Sequence, residues 1–298
     1  MDYRVTPAED GRKVRDILRR SMGVSYTAVK SAKWDGRIRL NGEAVHTDAA
    51  VKAGDLISIV WAEDVPAYAL KPFSLPLDVP FQDEYLMAVD KPAGIASQSS
   101  RNHPDDSLEN ALYAYLGCPE GFVYRPVNRL DKGTGGLMLI AQTPHVQHLM
   151  QKQLHTPAFR RRYLALTDGI PEEPAGVLDY PIAKADAASV RREVSPAGRP
   201  SRTRYKVLRE QDGGALILLE LETGRTHQIR VHLSHIGCPV RGDFLYGRER
   251  PDTFPGCFAL HSALLEAVHP LTGERIRLAS LPEWAEGIRE DVLFMDFD

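Results

Sequence analysis

Leu221-Glu-Thr-Gly-Arg-Thr-His-Gln-Ile-Arg-Val-His-Leu-Ser-His-Ile-Gly237 changes period part-way along. It follows Ala215 to Leu219, the longest strongly apolar stretch, which has strand length. The spacing predicts that this strand ends at Gly224. Thr226 is then placed to cap a helix over 227–236, because Ile229, Leu233 and Ile236 follow the 3.6-residue period and Gly237 and Pro239 stop it. A strand delivering its chain into a helix start puts Arg225 and Arg230 near a helix N-terminus, where anions are already favoured. A buried carboxylate, an RNA phosphate or a plain solvated basic face each suits that pattern.

Working outward, strands and helices alternate irregularly. Strands are expected at 85–90, 136–141, 161–167, 203–208, 215–222 and 274–278, and helices at 108–116, 144–154 and 227–236. Asp212-Gly213-Gly214 reads as a hairpin turn. There is no regular βαβ repeat, so the fold class is α+β, with a mixed, largely antiparallel sheet over residues 81–298. Residues 63–80 hold several prolines and no period, and read as a linker. Residues 1–62 read as a small α/β unit. A short amphipathic helix over 11–20 carries Val14, Ile17 and Leu18; a second, capped by Ser25, carries Val29 and Ala32. An Asn41-Gly42 hairpin and a strand from Leu56 to Trp61 follow.

The chain of 298 residues has 43% apolar and 26% charged residues, the mix of an ordinary folded protein. Its N-terminus has no targeting pattern and it has no membrane-length apolar run. Three widely spaced cysteines argue against a disulfide framework and point to the cytoplasm. The net charge of −3 hides an uneven distribution. Residues 11–40 hold nine Lys/Arg against two acids, a local balance of +7. Such a localised field suits a phosphate backbone. Arg15, Arg19, Lys30, Lys33 and Arg37 are its candidate RNA-binding residues.

A second chemical segment is Arg125-Pro-Val-Asn-Arg-Leu-Asp-Lys-Gly-Thr-Gly-Gly136. A lone Asp131 stands between Arg129 and Lys132 in a glycine-rich stretch before a strand. Neighbouring cations favour the charged form of a carboxylate. A surface turn with ordinary ion pairs is the plain alternative. In Phe159-Arg-Arg-Arg-Tyr-Leu-Ala-Leu166, Tyr163 could stack on an extruded base while the arginines hold its backbone, or it could be a core tyrosine. His227, His232, His235 and Cys238 have a metal-like look, but His227 lies about 140° around the helix from His232 at roughly 100° per residue. No metal is expected.

Taken in order, these segments resemble the RluA-type pseudouridine synthases, including the RluD branch. The matching stretches are Asn128-Arg-Leu-Asp-Lys-Gly-Thr-Gly-Gly136, Tyr163-Leu-Ala165, the unbroken run Gly224 to His232, and Asp243-Phe-Leu-Tyr-Gly247. Val89-Asp-Lys-Pro-Ala-Gly94, Leu260-His-Ser262 and His269-Pro270 match as well. Residues 11–61 look like the RNA-binding module named after ribosomal small-subunit protein four. The resemblance implies an isomerase that turns uridine into pseudouridine in structured RNA, ribosomal or transfer, as a monomer without cofactor or membrane. It implies Asp131 as the essential carboxylate, serving as nucleophile or base. Arg230 becomes its partner, Tyr163 the aromatic against the base, Ile229 an apolar wall, and Arg129 a residue that helps displace the flipped nucleotide. Lys132, Thr134 and Arg225 complete the substrate-binding set. Asn128 and Gly135 depart from the family's usual His and Ser. An RNA-binding or ribosome-assembly protein with reduced or no catalytic activity is the alternative. A carboxylate-dependent hydrolase would need a second acid, and no convincing partner stands beside Asp131.

Overall fold

The computed structural model describes residues 1–61, 66, 68–154, 156–186 and 189–297. Part of the stretch read as a linker, 62–65 and 67, lies outside the described residues.

The first sixty residues build a four-stranded sheet in the order β1-β4-β2-β3, formed by β1 (Asp2–Arg4), β2 (Ile38–Leu40), β3 (Glu43–Ala44) and β4 (Leu56–Ile59). Asn41 and Gly42 join β2 to β3 with φ of 52° and 90°, the positive pair that a two-residue hairpin turn demands. The expected first helix is shorter and irregular. A single α-turn, α1 (Val14–Asp16), runs into a π-helical segment, Ile17–Ser21, and the chain then turns at Gly23, φ 66°. Helix α2 (Tyr26–Trp34) is capped by Ser25, whose Oγ accepts the Ala28 N–H at 3.2 Å. Val14, Ile17, Leu18, Val29, Ile38, Ile57 and Ile59 close a core separate from the rest.

The larger body is organised on a nine-stranded sheet. Its strands are β5 (Asp78–Gln82), β6 (Leu86–Lys91), β7 (Gly135–Ala141), β8 (Arg160–Leu166), β9 (Ala175–Asp179), β12 (Arg202–Gln211), β13 (Gly214–Leu221), β14 (Leu260–Val268) and β15 (Arg275–Ala279). A separate ribbon pairs β10 (Ile182–Lys184) with β11 (Arg192–Val194). The order β5-β6-β7-β14-β8-β13-β12-β9 is antiparallel except where β14 lies parallel to β7, with β15 paired to β14. Strand β14 was not anticipated. Its Ala-Leu-Leu-Glu-Ala composition has helical propensity, and burial between β7 and β8 overrides it. Helices α3 (Leu108–Tyr115), α4 (Pro144–Gln153) and α5 (Gln228–His235) pack around the sheet.

The two bodies touch through α4. Trp61 stacks on His145 with ring centroids 5.2 Å apart, and Gly23 approaches Leu149 so closely that a Cβ there would lie 2.8 Å from its Cδ2.

Candidate active site

The site forms where the loop before β7 meets the N-terminal end of α5. Asp131 sits in that loop, closed by a hydrogen bond from the Thr134 N–H to the Asp131 carbonyl at 3.0 Å. Beneath it lies Lys91, fully buried at the end of β6. Its ammonium donates to the carbonyls of Pro92 and Ile95, both at 2.8 Å, and to that of Lys132 at 3.3 Å. Burial pulls the Lys91 pKa down to about 7, and the charge of Asp131 works against that fall. Lys91 thus ties the Lys-Pro-Ala-Gly turn to the Asp131 loop. Asn128 fastens the upstream end, its Oδ1 accepting the Leu139 N–H at 2.9 Å. At Gly135 a Cβ would stand 3.1 Å from His261 Nδ1, so this departure from the usual serine fits a neighbour already in place.

Helix α5 supplies the cation. It starts one residue later than the expected cap. His227, not Thr226, is the N-cap, in the left-handed region at φ 59° and with no side-chain cap bond. The Gln228 side chain performs the capping instead, its Oε1 accepting the Arg225 N–H at 3.0 Å and the Thr223 hydroxyl at 2.9 Å. Two residues on, Arg230 reaches Asp131 Oδ2 through Nη1 at 3.1 Å. Its Nε and Nη2 go to Asp243 Oδ2 and Oδ1 at 2.7 and 2.8 Å. Burial works against the charge of Arg230, and the bonds to Asp243 and then Asp131 outweigh it, so its pKa lies above the ordinary value. The guanidinium also stands over the rings of Phe258, Tyr246 and Phe244, at 4.3, 5.0 and 5.9 Å from their centroids. Phe244 is the exposed member of the three.

A third group faces the carboxylate. The Tyr246 hydroxyl accepts the Arg192 N–H at 2.8 Å and lies 2.8 Å from His227 Nδ1. The hydroxyl oxygen can still accept from that nitrogen or donate to it, so the contact suits the neutral imidazole in either tautomer. Nε2 stands 3.9 Å from Asp131 Oδ2. Burial first, against the opposing charge of Asp131, lowers the His227 pKa and favours this neutral form.

The other expected residues divide. Tyr163 is buried on β8, opposite Ser262 of β14 and Leu219 of β13, and burial raises its hydroxyl pKa. Ile229 packs in the same core cluster, together with Leu130 and Phe258. Thr134 is buried; Arg129 and Lys132 are exposed, the Lys132 ammonium lying 3.3 Å from His103 Nε2. Arg225 points elsewhere, its Nε donating to the Pro200 carbonyl at 3.2 Å. Asp243, Tyr246 and Lys91 were visible only as motif letters. Their roles depend on contacts far apart in sequence. Both nitrogens of His232 are engaged, by Thr203 Oγ1 and the Tyr180 carbonyl at 3.0 Å each, which explains the metal-like spacing by packing.

In the N-terminal body, Arg15, Arg19, Lys30 and Lys33 line one pocket of about 630 Å³ with Arg20, Tyr26 and Trp34. Arg37 lies apart, paired with Asp35 at 2.5 Å.

A partly exposed carboxylate is thus held by a buried arginine, with a buried tyrosine and an apolar side chain in the adjoining core. The sequence pattern described as RNA pseudouridylate synthase matches residues 85–235. A Bacillus subtilis protein called uncharacterized RNA pseudouridine synthase YjbO is 34% identical over 88% of this chain and 93% of its own length. The ribosomal large subunit pseudouridine synthase D of Yersinia pestis is 32% identical over 90% of this chain and 85% of its own. Human RNA pseudouridylate synthase domain containing 4 superposes with a TM-score of 0.55 at 25% identity, covering 69% of this chain and 89% of that one. The chain belongs to the RNA pseudouridylate synthase family, and is an isomerase of uridine in RNA.

Proposed function

We propose that this enzyme converts uridines of structured ribosomal RNA to pseudouridine in the cytoplasm, with Asp131 as the reacting carboxylate. The observation that carries the reading is the Asp243–Arg230–Asp131 chain of contacts, which leaves one carboxylate partly exposed and the other buried behind it. In the reaction the C1′–N1 bond breaks, the uracil turns, and a C1′–C5 bond forms. C5 loses a proton and N1 gains one, so there is no net redox change. Asp131 acts at the sugar as nucleophile or base. Tyr163 and Ile229 confine the detached uracil as it turns. The uridine must first leave its stack, at about a few kcal/mol, offset by contacts to the RNA backbone. Arg129, Lys132 and Thr134 line the approach.

Residues 1–62 act as an RNA-binding unit and the larger body, which begins with β5 at Asp78 inside the stretch 63–80 read as a linker, acts as the catalytic unit. In support, five cations and two exposed aromatic rings, Tyr26 and Trp34, share one pocket. The names of several relatives specify the ribosomal large subunit, which favours ribosomal over transfer RNA.

The test is incubation with uridine-containing rRNA and tRNA fragments, followed by pseudouridine-specific mapping. Asp131→Asn is expected to abolish product while retaining RNA affinity. Product from that variant would remove the assigned role. Free uracil would indicate hydrolysis, and binding without conversion a ribosome-assembly protein.

A further inference from the structure

Three consecutive arginines open β8, and their surroundings differ sharply. Alternation sends Arg160 and Arg162 to one face of the sheet and Arg161 to the other, the face of Tyr163. Arg160 pairs with Glu266 at 3.3 Å and Glu220 at 3.1 Å. Arg162 pairs with Glu220 at 2.6 Å and donates to the Leu293 carbonyl at 2.7 Å. Both are accounted for by the fold.

Arg161 is not. It is only 7% exposed, yet makes no hydrogen bond or ion pair among the described residues, and its Nε is sealed from solvent without an acceptor. Its one close contact of note is with the Phe159 ring, 5.7 Å from Cζ. A buried guanidinium without a counter-charge is among the more costly arrangements a fold can keep. Proteins retain such a group where an anion arrives from outside.

The place fits. Arg161 sits two residues along the strand from Tyr163 and close enough to influence its hydroxyl, as Asp131 is. Its two Nη nitrogens lie 3.6 Å from where a Cβ at Gly224 would stand. Gly224 is exposed and opens the segment that leads into His227 and Arg230. A side chain there would roof the guanidinium; the glycine leaves it open beside the segment that carries Arg230.

We propose that Arg161 binds a backbone phosphate of the RNA next to the target nucleotide, its Nη1 and Nη2 donating to the non-bridging oxygens through the gap left at Gly224. This rests on the reading that the enzyme acts on uridine in RNA. The phosphate fixes the sugar while Tyr163 takes the base, so one strand grips both ends of the nucleotide.

The test is a cycle between protein and RNA on the full chain. Arg161→Met removes the charge and keeps much of the volume. A single methylphosphonate, placed in turn at the linkages on either side of the modified uridine, removes the phosphate charge. Affinity for an rRNA fragment should fall about 10- to 100-fold with Arg161→Met. One of the two methylphosphonates should weaken the natural enzyme by the same factor, and the two changes together should cost no more than either alone. Arg161→Lys should recover part of the loss. The Tm of Arg161→Met should hold or rise, because an unpaired buried charge has gone; a purely structural arginine would lower it. Losses that multiply, indifference to both linkages, or tight binding by Arg161→Met would overturn the inference. A rate loss with Arg161→Met but none with either methylphosphonate would also overturn it, assigning the guanidinium to the detached uracil. A natural enzyme that makes no pseudouridine in any RNA would instead undo the reading beneath, and the affinity cycle would distinguish the two failures.

Discussion

Asp243 takes two of the three nitrogens of the Arg230 guanidinium and is itself fully buried, so Arg230 has one nitrogen, Nη1, left to offer Asp131. The geometry of the Asp131 contact is thus set by a second carboxylate that is shut off from solvent. Asp243 is fixed in turn, its Oδ1 accepting the N–H groups of Leu245 and Tyr246 at 2.9 and 3.2 Å.

Asp243→Asn should therefore damage both stability and turnover. Removing one partner of a buried pair costs about 3–5 kcal/mol. The expected result is a lowered Tm and a loss of kcat much larger than any change in RNA affinity. Arg230→Lys should behave alike, since an ammonium cannot serve Asp243 bidentately and also reach Asp131. Wild-type turnover in either variant would contradict this view of the pair.

Gly136 marks where the Asp131 loop enters β7. Its φ is 103°, and a Cβ there would lie 2.4 Å from the Ser262 carbonyl oxygen and 2.6 Å from the Ser262 nitrogen. Neither backbone can yield, because this is the parallel seam between β7 and β14. Gly136→Ala should destabilise the chain by roughly 2–5 kcal/mol, measured by denaturant unfolding. An effect below about 0.5 kcal/mol would show that the seam is loose.

Acid should weaken the fold through two buried imidazoles. Burial holds His261 and His145 down at about 4. His261 Nε2 lies 2.7 Å from Ser280 Oγ, which donates to Asp90. In the unfolded chain both rings take up protons near 6.5. Between about 6.5 and 4 the unfolded state therefore binds more protons, and stability falls as the pH falls through that window. Above 6.5 this contribution is intact. A His145→Gln/His261→Gln double variant should show a shallower loss of Tm from pH 7 to 4.5; parallel curves would exclude these rings as the cause.

The N-terminal pocket should read charge and base separately. Arg19 stands over Tyr26 at 5.7 Å and Lys33 over Trp34 at 5.9 Å. Lys30→Ala/Lys33→Ala should weaken RNA binding and reduce the slope of log Kd against log salt by about two. Trp34→Ala should weaken binding by roughly tenfold or more with the slope unchanged, since base stacking is worth about 1–3 kcal/mol. Deletion of residues 1–61 with no effect on affinity or slope would remove the role given to this unit.

Much of this was legible in the sequence, because it is carried by local signals. The Asn41-Gly42 and Asp212-Gly213 turns, the Ser25 cap and the period of α5 depend on neighbours within a few residues. Motif order brought Asp131, Arg230 and Tyr163 forward; the structure places the first two in contact and buries the third in the core shared with Leu130 and Ile229. What stayed hidden depends on distance along the chain. Asp243 was one letter of the motif at 243–247, and its grip on Arg230 shows only in the structure. Lys91 was one letter of the motif at 89–94, and only the structure shows it buried and bonded to carbonyls from two loops. Arg161 could not be told from Arg160 and Arg162 until their counter-charges were found. Strand β14 was lost because its composition suits a helix while its place in the sheet does not.

That strand also governs when the enzyme comes into being. Residues 260–268 lie between the strand that follows Asp131 and the strand that bears Tyr163. During synthesis those two strands emerge long before the piece that joins them. A ribosome making this protein holds two unjoined halves until residues 260–268 have emerged, so the capacity to alter RNA cannot appear before that stretch is made.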